Sequence, residues 1–322
     1  MAAAEALRLT DLQRAQIGSP DKVHLEPDLE RIPGRNFLRR LFRRGAGDVS
    51  REREATVIAF ASGKGGTGKS FLATNSAIAM HRTGKRVAVV DCDFGLANAH
   101  LLFGVNPRYS IQHLLDGVVP VEEVLAATPY GPGLVAGGSG IPSLAELDAR
   151  HMETLAGALK WLARSHDVLL LDCPAGLAPQ SMVTVLAAEH VVIVTNPEIA
   201  ALTDAYALIK CLARQPACPV VHLVVNRVSP AGLGRATFDR LAEVSRRFAG
   251  CEIHYAGEVP EDSAVTHRRL GQPPLLLSLP ECATTQAVLS VLATIEQRIE
   301  AQVRSMSNDG VEARMLEQIR RW

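Results

Sequence analysis

The octapeptide Gly63-Lys64-Gly65-Gly66-Thr67-Gly68-Lys69-Ser70 restricts this chain to very few folds. An apolar run, Val57-Ile58-Ala59-Phe60-Ala61, precedes it, and a helix-like segment from Ser70 to about Thr83 follows. Strand, glycine loop and helix in that order provide the setting of a phosphate-binding loop. The glycines let successive backbone N–H groups turn inward, and the helix N-terminus adds positive potential where phosphates sit. Gly65, Gly66, Thr67 and Gly68 then form the cradle, with Phe71 behind it. Lys69 reaches the β- and γ-phosphates, and Ser70 ligates Mg²⁺. Lys64 stands too far forward to serve its own nucleotide, and is placed to reach one held by a second copy of the chain.

The rest of the sequence supplies a matching frame. Short Val/Ile/Leu runs recur at Val57–Ala61, Val87–Asp91, Val168–Asp172, Val191–Thr195, Val220–Val225 and Ile253–Tyr255. None alternates with polar residues, as expected of parallel strands covered on both faces. Helical patterns lie between them, notably Leu144–Ser165, Ala200–Arg214 and Phe238–Phe248. The expected fold is α/β, a doubly wound and mainly parallel sheet. One domain spans 55–300, preceded by a flexible extension, 1–54, and followed by a helical tail, 301–322. With 34 basic and 34 acidic residues, no global field draws the chain to nucleic acid. Six cysteines without a CxxC pair fit a reducing cytosol and leave no pattern for zinc or an iron–sulfur cluster. No apolar run approaches the ~20 residues of a membrane span.

Polar residues gather where the apolar runs end, which is where such sheets bind ligands. Asp172 suits the acidic partner of Mg²⁺, acting through water. Asp93 is placed to position or deprotonate the attacking water, and Asp91 to support the metal's outer shell; the alternative for the last two is a helix cap or turn pair. Gly176 offers an N–H to the γ-phosphate. Asn226 pairs with a purine edge or serves as a strand-end turn residue. Arg227, Pro260 and Glu261 lie where backbone covers the base. Lys64, Lys69 and Asp93 are thus the catalytic candidates, and ATP with Mg²⁺ the expected ligands.

The phosphate loop, Asp91-Cys92-Asp93-Phe94-Gly95-Leu96-Ala97-Asn98 and Asp172-Cys173-Pro174-Ala175-Gly176 together resemble the MinD/ParA family of deviant-Walker ATPases. Gly138-Ser139-Gly140-Ile141, the run Leu202-Thr203-Asp204-Ala205-Tyr206-Ala207-Leu208-Ile209-Lys210, and Val224-Val225-Asn226-Arg227 are similar to its flagellar-number branch, FlhG or FleN. The resemblance covers roughly 55–300. It implies a P-loop (SIMIBI-type) NTPase in which ATP closes a sandwich homodimer, Lys64 touches the partner's nucleotide, hydrolysis is slow, and the dimer binds the cytoplasmic face of the membrane. An FlhF-like GTPase and basal-body proteins are the implied partners. Thr67 and Ser70 replace a usual valine and threonine. His100 stands where this branch commonly has aspartate. Thr195-Asn196-Pro197-Glu198 is closer to MinD. Asp11, Gln13 and Ala15 are out of register with the branch's GTPase-stimulating element.

Two segments compete as the membrane contact. In Asn36–Arg44, Phe37, Leu38, Leu41 and Phe42 share one helical face and the arginines the other. Its alternative is a basic arm that folds back or stays solvated. Val311–Trp322 repeats apolar residues at helical spacing but carries Glu312 and Glu317, and it competes as a docking helix. A DNA-partitioning ATPase, with the arginine cluster on phosphates, is the other function the sequence admits.

Overall fold

The computed structural model describes residues 54–138, 149–269, 271–302 and 310–320. The first strand, β1 (Thr56–Ala61), sends alternate residues to opposite sides. Val57, Ala59 and Ala61 enter one core, and Ile58 and Phe60 enter the other. Double-sided burial of this kind favours a parallel sheet between two helical layers. The chain continues through α1 (Lys69–Arg82), β2 (Val87–Asp91), the short helices α2 (Ala99–Leu102), α3 (Ile111–Leu115) and α4 (Val121–Val124), and the strands β3 (Leu125–Ala127) and β4 (Gly133–Val135). It then passes through α5 (Ala149–Ser165), β5 (Val168–Asp172), α6 (Pro179–Leu186), β6 (His190–Thr195), α7 (Ile199–Ala213), β7 (Val220–Val228) and α8 (Leu233–Val244), which a π-helical turn at Ser245–Ala249 prolongs. Last come β8 (Ile253–Pro260), α9 (Ser263–Thr266), α10 (Leu275–Ser278), α11 (Ala283–Gln302) and α12 (Val311–Arg320).

Among the described residues these strands form one sheet in the order β3-β4-β2-β5-β1-β6-β7-β8, parallel throughout except at the β3–β4 pair. Helices α1 and α11 cover one face, and α5 to α8 with α12 cover the other. β1 is central, so the loop that follows it is flanked by the ends of β5 and β6. Register sets Phe60 beside Asp172 and Asp91 beside Asp172. The acidic strand ends are therefore delivered to the phosphate loop by pairing alone.

Several elements differ from their expected limits. The last strand runs on to Pro260 instead of ending near Tyr255. A register shift between Leu223 and Val224 skips Ala256, and Gly257 (φ 144°) lets the strand resume. A side chain at Gly257 would also press on Val291 of α11. Strands β3 and β4 are three residues each, too short to leave a periodic trace. Helix α5 is described from Ala149, and Ser139, Gly140 and Ile141 lie outside the described residues, as do the extension and its 36–44 segment.

The C-terminal helix has a definite place. Val311 and Met315 of α12 are fully buried in the domain core, packed on α5 and α6. Arg314 donates to the Ala187 carbonyl at 3.0 Å and pairs with Glu189 at 3.3 Å, and Lys160 pairs with Glu312. Val311 and Met315, two of the apolar residues that made 311–322 a competing membrane contact, are thus spent on the chain's own domain; Trp322 lies outside the described residues.

At the opposite end from the phosphate loop, His190, His222 and His254 line up across β6, β7 and β8. His190 Nδ1 and His222 Nε2 are 3.2 Å apart. Burial holds His190 down at about 4, with Arg314 adding to it. His222 lies at about 3, through burial first and then His190, His254 and Arg298. Burial and Arg298 also lower His254. These values fall below the unfolded imidazole value of about 6.5, so the folded state favours neutral rings. Their contribution is complete above that pH and is lost as pH falls toward the folded values. The wild-type protein should lose on the order of 2–3 kcal/mol more stability between pH 6.5 and 4 than the variant H190Q/H222Q, read by thermal denaturation. Parallel profiles would refute the assignment.

Candidate nucleotide site

The turn after β1 is shaped by glycine. Gly66 (φ 78°) and Gly68 (φ 94°) take left-handed conformations that other residues adopt at a cost. A side chain at Gly68 would strike the Asn226 amide, whereas Gly65 and Gly66 face open space. Gly63 backs directly onto Asp204 of α7, which leaves no room for a Cβ there. Helix α1 starts at Lys69 with no side-chain cap and no acidic residue in its first turn. Its leading N–H groups and positive dipole end therefore point at the loop without a competing carboxylate, the arrangement that binds anions. The buried Thr67 hydroxyl also has no hydrogen-bond partner among the described residues.

Lys69 Nζ lies 3.4 Å from Asp172 Oδ1, and both side chains are buried. Burial pushes the Asp172 carboxyl up, while Lys69 and a hydrogen bond from Ser70 pull it down. Ser70 and Asp172 thus offer hard oxygen donors side by side, a donor set that fits Mg²⁺ bound mostly through water and phosphate. Among the described residues no group of three or more His, Cys, Asp or Glu is arranged to hold a metal alone.

Asp91 is fully buried, and its two oxygens are taken up by backbone. Oδ1 accepts from Asp93 N–H at 3.1 Å, and Oδ2 accepts from Asn98 and Ala99 N–H at 3.0 Å each. It was expected in the metal's outer shell; in the structure it shapes the loop after β2 and caps α2. Burial, and then the charge of Asp172, push its carboxyl up to about 7. Near neutrality it is partly protonated, which eases its position beside Asp172. Asp93, the proposed water-positioning group, accepts from Leu96 N–H at 3.0 Å on the same loop. The Gly176 N–H, assigned to the γ-phosphate from sequence, donates to the Ser62 carbonyl at 3.0 Å, so a phosphate contact requires exchange of that bond.

Beside the phosphate loop lies a cleft of about 150 Å³. Gly66, Gly68, Phe71, Asn226, Arg227, Pro260 and Glu261 line it, joining residues expected from both ends of the chain. Asn226 is buried and donates to the Thr67 carbonyl at 2.7 Å, bracing the loop. Arg227 holds φ at +57° and pairs with Glu261 at 3.2 Å across the cleft rim. Asp262 closes the stretch expected to cover the base and joins the lining; sequence reasoning missed Val265, Thr266 and Thr284, which close the cleft from α9 and α11. The Thr284 hydroxyl donates to Asp262 at 2.9 Å, a contact across 22 positions that no local pattern announces.

Lys64 lies outside this cleft. Its ammonium sits 2.8 Å from Glu198, with both side chains about half exposed. The hydrogen bond from Lys64 holds the Glu198 carboxyl below the usual range. Glu198 was not a candidate from sequence, although it closes the MinD-like Thr195-Asn196-Pro197-Glu198 stretch.

A glycine loop between the central strand and a helix, a buried lysine, and acidic ends on the neighbouring strands define a P-loop NTPase. Residues 53–296 match the ParA family, described as the NUBPL iron-transfer P-loop NTPase. The antiactivator FleN of Pseudomonas aeruginosa is 34% identical over 209 residues, covering 65% of this chain and 75% of FleN. The flagellum site-determining protein YlxH of Helicobacter pylori is 30% identical over 258 residues, covering 80% of this chain and 87% of YlxH. The cell division ATPase MinD of Pyrococcus furiosus superposes with a TM-score of 0.65 at 28% identity, covering 76% of this chain and 99% of MinD. MinD of Pyrococcus horikoshii, solved with Mg-ADP, superposes with a TM-score of 0.64 at 26% identity, covering 79% of this chain and all of that one. The chain belongs to the ParA family of P-loop NTPases and is a MinD-like regulatory ATPase.

Two substitutions test the loop. Lys69→Ala removes the cation facing the phosphates, and Gly68→Ala forces a Cβ against Asn226. Each should weaken binding of a fluorescent ATP analogue by roughly 100-fold or more. Retained affinity in Lys69→Ala would overturn the site.

Proposed function

We propose that ATP pairs two copies of this chain face to face, and that the pair acts at the inner surface of the cytoplasmic membrane to set the number or placement of flagella. The observation that carries the pairing is the rim around Lys64. Leu96 (76% exposed), Leu177 (37%) and Ile199 (84%) are large apolar residues left in water on the loops after β2 and β5 and at the start of α7. Ile199 follows Glu198, which pairs with Lys64, and Leu177 follows Gly176, whose N–H donates to the Ser62 carbonyl at the root of the phosphate loop. Apolar groups gathered about a cation make a surface that a second protein can bury. In the pair, Lys64 gives up Glu198 for the partner's phosphates.

In this reading, hydrolysis draws on residues of the same site. Lys69 and the α1 amides hold the phosphates, Asp93 orients water, and Asp91 keeps the Asp93 loop in shape. Bound Mg²⁺, held by Ser70 and by Asp172 through water, would supply further neutralisation of phosphate charge. The flagellar part of the reading is supported by the names given to FleN and YlxH. An FlhF-like GTPase and basal-body components are the proposed partners. Membrane contact is assigned to Phe37–Phe42, because α12 has already buried Val311 and Met315; among the described residues no helix is long and apolar enough to cross a membrane.

Lys64→Ala should bind ATP with unchanged affinity yet stay monomeric with a non-hydrolysable analogue, as read by light scattering on a sizing column. Asp93→Ala should accumulate as an ATP-bound dimer with turnover reduced at least about 10²-fold. Dimerisation of the Lys64 variant would defeat the pairing. Deleting residues 1–54 should abolish ATP-dependent sedimentation with anionic liposomes. Unchanged sedimentation would reject that segment, and retention on duplex DNA instead of liposomes would favour the partitioning role.

A further inference from the structure

Helix α8 and its π-helical turn put into water a side chain that the helix's own periodicity would bury. Phe238, Leu241 and Ser245 are buried, at the spacing of one helical face. In unbroken α-geometry position 248 falls on that face as well, about two turns beyond Leu241. The π turn over Ser245–Ala249 widens the last turn, and the Gly250 N–H donates back to the Ser245 carbonyl. Phe248 is thereby carried outward and stands 62% exposed, while Ala249 packs on the core. Ser245 is fully buried, and its hydroxyl has no hydrogen-bond partner among the described residues. A ring in water and an unpaired hydroxyl in the core invert the ordinary preference of both groups. Single π turns of this kind gather at functional positions.

The displayed ring has a basic setting. Arg247 holds its guanidinium over Phe248, 5.0 Å from the ring centre. Arg240, Val244, Arg246 and Arg247 are all exposed, and Glu243 is the one acid between positions 240 and 248. Helix α7, which packs against the turn, ends at exposed Arg214. Apolar groups among arginines match an apolar segment that carries acids.

We infer that residues 25–30 of the same chain, Leu25-Glu26-Pro27-Asp28-Leu29-Glu30, dock on this patch, with leucine against Phe248 and the three acids among the arginines. No other six-residue window ahead of Glu54 holds as many acids, and this one also supplies two leucines. The path is short. The described chain starts at Glu54, just ahead of β1, at the edge where the parallel strands begin. The π turn leads through Gly250 into β8 at that same edge. β1 and β8 lie three strand spacings apart, on the order of 15 Å. The residues between 30 and 54 can span up to about 80 Å when extended. The docking uses neither the nucleotide site nor the 36–44 segment, so its failure and that of the proposed function are separable.

The test uses the full-length protein, dilute and without nucleotide, with p-benzoylphenylalanine in place of Phe248. After irradiation, mass spectrometry should find an adduct between position 248 and residues 23–31 within one chain. Glu26→Arg/Asp28→Arg/Glu30→Arg, which changes no described residue, should abolish that adduct. Adding Arg240→Glu/Arg246→Glu/Arg247→Glu to the reversed chain should restore it. Without the probe, amides 241–250 should exchange with deuterium more slowly in the wild type than in the acid-reversed chain. The inference is overturned if the probe captures nothing, another part of the chain or a second copy, or if acid reversal leaves the adduct unchanged. A parallel sample contains phosphatidylglycerol vesicles. Capture of lipid in place of the segment would give the patch to a membrane and overturn the inference equally.

Discussion

Lys69 opens α1 with its ammonium buried 3.4 Å from the carboxylate of Asp172 on the adjoining strand. A charge removed from water needs a compensating partner, and here the partner is itself desolvated, with a second carboxylate, Asp91, beside it in register. Two acids and one base form a cluster that does not balance internally as full charges. Partial protonation of Asp91 and the Ser70 hydrogen bond to Asp172 relieve part of the strain. The remainder is a local surplus of negative charge beside a row of unclaimed helix-end amides. In the proposed function, phosphate would take the amides and Lys69, and a divalent cation would sit at Ser70 and Asp172.

The parallel sheet makes this cluster possible. Because β1 lies between β5 and β6 with β2 next to β5, the loops that carry chemistry leave the same edge. Helix α7 ties that edge to the outer rim. Its backbone at Asp204 packs against Gly63 at the root of the phosphate loop, and Glu198 at its start holds Lys64. The root of the phosphate loop and Lys64 are thus both held by the same helix. The same short connection joins the nucleotide to the apolar rim of Leu96, Leu177 and Ile199.

Much of the site was legible in the sequence, because glycine geometry and strand-end acids leave local signatures. The loop, Lys69, Ser70 and Asp172 come together as expected, and Asn226, Arg227, Pro260 and Glu261 meet in one cleft although far apart in the chain. The unread parts share one physical trait, dependence on tertiary contact. Asp91 is committed to three backbone amides, the cap-or-turn alternative that a DxD pattern leaves open beside metal support. Glu198 acquires its role only because α7 begins beside the phosphate loop. Thr284 completes the cleft from a helix remote in sequence, and α12 reads as an amphipathic tail until the groove between α5 and α6 receives Val311 and Met315. The bulge at Ala256 hid the full length of β8, since an extra residue breaks the regular pattern that marks a strand.

In this account one copy holds the nucleotide and a second copy completes the site. The most direct measurement is ATP turnover per protomer as a function of protein concentration with saturating Mg-ATP. Turnover per protomer should climb with concentration and then level off as the paired form saturates. A value that stays constant from the most dilute measurable protein upward would contradict the account and mark each chain as a self-sufficient hydrolase.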